Sequence, residues 1–221
     1  MSSPVTNYMR LGGIAGLVFV ALGLALFGIP IPPEGAASVA EIQTYYLDNR
    51  DMVLLQSVVT VFSLFPLLLF AVCIAGTVGE TGRPWSLLIT IGVAGVAITN
   101  VASTAVNAAL ALQASAAPAS NEPVLLALFD FQGVLFSFIG IFAFAFLVGI
   151  IMSGIISGWM PRWLIWLGFL AAALEGISTP ARLYPDVQIL TILAAPGFLL
   201  VSIFFVAISI VMLRYHPITG V

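Results

Sequence analysis

Two carboxylates, Asp130 and Glu175, stand inside long apolar runs, and no other residues in this chain are better placed to do chemistry. An ionised side chain at mid-membrane costs about 2.5–3.5 kcal/mol on insertion scales, so a carboxylate there marks a candidate site for a proton, a cation or a polar ligand. The amides Asn100, Asn107, Gln132 and Gln56 lie in similar runs, and Arg182, two turns past Glu175, is its natural counter-ion. Asp130 is seven residues inward from Pro123 and Glu175 seven inward from Arg182, while Asn107 and Gln56 are six and five residues from Gln113 and Asp51. At about 1.5 Å per residue these groups, with Thr191, fall in one layer roughly 10 Å below one surface. Polar groups in hydrocarbon turn toward one another or toward water, so we expect one internal polar cluster open to that side. A blander reading stands beside it. Asn100, Ser103, Thr104 and Asn107 recur at helical spacing on one face, and such residues often serve only as interhelical hydrogen-bonding glue. Arg182 by itself reads as a snorkelling interfacial arginine.

Other chemistries find no residues. The six basic residues are all arginine, which removes lysine-centred Schiff-base chemistry. Cys73 is the only cysteine and His216 the only histidine, so there is no redox pair, no bis-histidine haem and no zinc-spaced cluster. No nucleophile is paired with a base, so we assign no catalytic residue, no metal and no cofactor, and expect no enzyme. A net charge of −3 without a basic run argues against nucleic acid.

The elements that must hold these residues follow from composition. Of 221 residues 62% are hydrophobic and 7% charged, against about 25% charged in soluble domains. The chain reads as one all-α transmembrane domain over 1–221, a polytopic helix bundle of about six spans near 11–29, 52–78, 85–112, 124–156, 162–179 and 187–213. Ser38 and Glu41 have capping-box spacing and open a short interfacial helix near 39–48, with Tyr45 and Tyr46 at headgroup level. Pro66 and Pro196 are expected kinks, Gly168 and Ala172 a face for close helix packing, and Trp159, Trp163 and Trp166 an interfacial belt. The alternating phenylalanines of 136–146 are expected to ring their helix. Arg10, Arg83, Arg162 and Arg214 fall on one side and Arg50 and Arg182 on the other, which places both termini in the cytoplasm.

The run Ser-Gly-Trp-Met-Pro-Arg-Trp-Leu-Ile-Trp-Leu-Gly from Ser157 resembles the signature of an uncharacterised bacterial family of six-span membrane proteins, a domain of unknown function. The Tyr45 to Arg50 run and the surroundings of Asp130 match it more loosely, and Phe129 stands where the family often has a histidine. The resemblance implies a six-span fold in the cytoplasmic (inner) membrane of a bacterium and carries no activity. We therefore expect a non-catalytic membrane protein acting by association, as an accessory subunit or an oligomer, with lipids and other membrane subunits as partners. The alternative is a small-ligand, lipid or ion binding or transport protein with an outer-leaflet cavity at Asp130 and Glu175.

Overall fold

The computed structural model describes residues 4–26, 32–33, 37–78, 82–116, 122–179 and 188–215, and every regular element among them is helical. The helices are α1 (Pro4–Ala25), α2 (Val39–Asp48), α3 (Arg50–Ala75), α4 (Arg83–Ala116), α5 (Glu122–Ile156), α6 (Arg162–Ser178) and α7 (Gln188–Leu213). Five of them, α1, α3, α4, α5 and α7, are long and apolar enough to cross a membrane. The sixth expected crossing, α6, has 17 residues, about 25 Å of helix. The first helix begins seven residues earlier than its apolar run, at Pro4, because proline is tolerated in a first helical turn where its missing N–H is not needed. Both α3 and α7 run through their internal prolines, Pro66 and Pro196.

Consecutive long helices pack side by side, α1 on α3, α3 on α4, α4 on α5, α5 on α6 and α6 on α7, and α7 closes against α1. The result is an up-and-down ring of six helices. Glycines set its registers. A Cβ on Gly92 would lie 2.6 Å from the Phe146 backbone nitrogen, and one on Gly149 2.9 Å from that of Ile89, so α4 and α5 approach backbone to backbone. Gly12 meets Cys73 and Met212, and Gly13 meets the Ser209 carbonyl, which locks α1 between α3 and α7. Gly168 packs on Ile151 and Phe204, and Ala172 is buried beside it, so the face expected on α6 is a packing face.

Among the described residues Phe205 on α7 packs the interior, with the rings of Phe19, Phe70 and Phe146, from α1, α3 and α5, at centroid distances of 5.3, 5.2 and 6.2 Å. Phe146 is buried and Phe142 packs partly on the core, whereas Phe136, Phe138 and Phe144 are partly exposed, so the alternating phenylalanines do ring α5. Trp163 and Trp166 are exposed at the end that carries Arg83 and Arg162, while Trp159 packs partly against the core.

Candidate functional site

Polar side chains gather where α2 meets the long helices. Ser38 caps α2, its hydroxyl accepting from the Glu41 backbone N–H while the Glu41 carboxylate accepts from the Ser38 N–H at 2.8 Å. These bonds to Ser38 hold the Glu41 carboxyl below its ordinary pKa. The anchored helix then lays Ile42 and Tyr46 onto α3, α4 and α5, where a second core forms with Val53, Leu110, Ala111, Leu125 and Phe129. Tyr46 is fully buried, and its hydroxyl donates to Asn107 Oδ1 at 2.7 Å. Tyr45 packs edge-on against Tyr46, and burial raises its pKa. Tyr46 is thus buried against the long helices, where the sequence predicts only an interfacial ring. The missed signal was the i, i+4 pairing of Ile42 with Tyr46, a docking stripe on a short amphipathic helix.

The sequence placed Asp130 and Glu175 in one layer, and the structure separates them. Gly140 on α5 faces the Thr179 side chain, and Gly176 on α6 faces the Phe144 ring, so Glu175 stands beside Phe144 on α5. Asp130 is fourteen residues further along the same helix, about 21 Å at helical rise. It is also exposed, with exposed Phe131 next to it, and a Cβ on Gly133, one turn away, would meet nothing within 4 Å. Glu175 is partly buried near the end of α6, and its backbone carbonyl accepts from the Thr179 hydroxyl. By this register the two carboxylates stand at different levels along α5.

The amides divide as well. Gln132 is buried, Asn107 is half-buried and engaged by Tyr46, and Asn100 and Gln56 are half-buried. The α4–α5 register set by Gly92 against Phe146 and Gly95 against Phe142, continued by turns, puts Gln132 opposite Val106 and beside buried Ser103. The Ser57 and Ser137 hydroxyls donate to carbonyls of their own helices, those of Val53 and Gly133, while the buried Ser153 and Ser209 hydroxyls have no partner among the described residues. Arg182 and the Thr191 side chain lie outside the described residues.

A concavity of about 470 Å³ opens to the outside of the ring between α3 and α4, lined by Val61, Leu64, Phe65 and Leu68 of α3 and by Ala97, Ile98, Val101, Ala102 and Ala105 of α4. It has no charged lining. A shallower hollow of about 460 Å³ lies against α2, at Pro33, Ala40, Glu41, Thr44 and Tyr45. Among the described residues no group of histidine, cysteine, aspartate and glutamate side chains could hold a metal ion. Comparison of the chain with protein-family models, with curated proteins and with solved structures finds no match in any of the three.

Proposed function

We propose that this is a non-catalytic integral membrane protein, crossing the cytoplasmic membrane of a bacterium six times with both termini inside, that acts by association as an accessory subunit or an oligomer. The observation that carries this reading is the contrast between an interior packed with Phe70, Phe146 and Phe205 and an outward groove whose α4 side is lined by Ala97, Ala102 and Ala105. Helices in lipid associate through close packing, which small residues permit. The groove offers a partner helix such residues, with Phe65 and Leu68 on its α3 side. The packing of Phe19, Phe70 and Phe146 around Phe205 favours association over a conduction path along the ring, and the register that sets Asp130 and Glu175 at different levels favours it over a shared outer cavity.

Helix lengths support the membrane placement. The 34 residues of α4 and 35 of α5 make about 51 and 52 Å of helix, while the hydrocarbon core is about 30 Å thick. Even tilted, both helices outrun the bilayer, and the shorter α6 marks how much of α5 lies within it. Arg162 and Trp163 sit at the inner boundary, and the excess falls at the α2 end. Asp130, only eight residues from the start of α5, then stands outside the hydrocarbon in water or headgroups, which is why its carboxylate is tolerated on an outward face.

The association reading is tested by measuring mass in mild detergent. The wild type should run as a complex larger than the 23.3 kDa chain, and Ala102→Phe, which fills the groove, should release the monomer with its melting unchanged. A wild-type monomer would end the proposal. The membrane placement is tested by Asp130→Cys in a Cys73→Ser background, which should react with an impermeant thiol reagent on whole cells; labelling only after lysis would reverse the orientation.

A further inference from the structure

At the end of the ring where α1 begins and α7 ends, two arginines come to the same level on neighbouring helices. A Cβ on Gly13 would lie 2.7 Å from the Ser209 carbonyl oxygen and 3.1 Å from the Leu213 backbone nitrogen, so the two backbones touch there. Arg10 is one turn from Gly13 toward that end, and Arg214 directly follows Leu213. Both are exposed, and each continues an outward-facing row, Arg10 with Ile14 and Arg214 with Ile210. No ion pair or hydrogen bond joins either of them to another described residue. Two guanidinium groups at one level, without partners among the described residues, concentrate positive charge where the apolar rows end. An anion is drawn to such a concentration of positive charge, and a planar guanidinium is suited to bidentate binding of phosphate oxygens.

We infer that Arg10 and Arg214 form a site for the phosphate of an anionic phospholipid at the α1–α7 seam, its acyl chains lying along the exposed Ile14 and Ile210. The lipid bridges the first and last helices and so fastens the closure of the ring. Charge complementarity sets the headgroup, and the apolar rows running away from the arginines favour a lipid over a free ion.

The test measures thermal midpoints of the purified full chain in mild detergent, titrated with phosphatidylglycerol, with phosphatidylcholine or with inorganic phosphate. Phosphatidylglycerol should raise the midpoint, and phosphatidylcholine and inorganic phosphate should not. The half-saturating concentration should rise about five-fold in Arg10→Gln and again in Arg214→Gln, and about 25-fold in the double variant. Arg83→Gln and Arg162→Gln, at the same end but on α4 and α6, should leave it unchanged. Both target residues are exposed, so the variants should melt like wild type before lipid is added, and the lysine pair Arg10→Lys with Arg214→Lys should keep most of the effect. No response to phosphatidylglycerol, or an equal one to phosphatidylcholine, would overturn the inference. A response to inorganic phosphate would replace the lipid by a free anion, and an equal loss in Arg83→Gln or Arg162→Gln would reduce the pair to the diffuse charge of that end.

Discussion

The tightest test of the packing is one methyl group on Gly92. A Cβ built there would stand 2.6 Å from the backbone nitrogen of Phe146 and 2.7 Å from its Cα, and these atoms belong to a helix backbone that no rotamer change can move aside. Ordinary contact between such atoms needs about 3.5 Å, so Gly92→Ala forces α4 and α5 apart by close to 1 Å along the most extensive seam in the ring. Overpacking of this kind costs about 1–3 kcal/mol, and the helix propensity gained by alanine, about 1 kcal/mol, offsets only part of it. For a chain of this length each kcal/mol moves the melting midpoint by about 2–4 °C. Gly133→Ala is the matched control on α5, since its Cβ would meet nothing within 4 Å and only the propensity gain remains. Detergent melts followed by circular dichroism should therefore show the two variants shifting in opposite directions. If Gly92→Ala melts at or above wild type, the backbone contact that sets the α4–α5 register is not there, and the depths assigned to Asn107 and Gln132 fall with it.

Phe205→Ala removes the ring around which three other helices pack, and should lower stability by about 3–5 kcal/mol in the same melts. Tyr46→Phe deletes the donor to Asn107 and should cost about 0.5–1.5 kcal/mol, read as faster amide exchange in α2. Because Glu41 has its pKa lowered in the folded chain by its bonds to Ser38, its contribution is complete above the ordinary glutamate pKa and is lost as pH falls through the lower folded value. Exchange in the first turn of α2 should therefore quicken at acid pH in the wild type and show no such acid step in Glu41→Gln.

How much of this could be read in advance differs between elements. Helix limits were legible because prolines and arginines punctuate the chain. The expected spans near 162–179 and 187–213 became Arg162–Ser178 and Gln188–Leu213, and the capping box of Ser38 and Glu41 gave α2 its start. Depth was not legible. Counting inward from loop ends treats every helix as equally long, but α5 has 35 residues and α6 17, so seven residues inward means two different levels. What fixes the level is register, and register here rests on which glycine meets which side chain, Gly140 with Thr179 and Gly176 with Phe144. Periodicity marks such a glycine as small without naming its partner. Burial of Tyr46 escaped for a related reason, since a tyrosine near the end of an apolar span fits both a headgroup belt and a buried hydrogen bond.

Association through the α3–α4 groove is the central claim, and site-specific photo-crosslinking in native membranes tests it most directly. A benzophenone side chain at Val101, in the groove lining, and another at exposed Phe169 on α6 would be irradiated in parallel and the products resolved by mass. The account predicts one discrete protein adduct from position 101, lost when Ala102→Phe fills the groove, and only lipid-sized additions from position 169. Lipid-sized additions alone from position 101, or the same protein adduct from both, would contradict it.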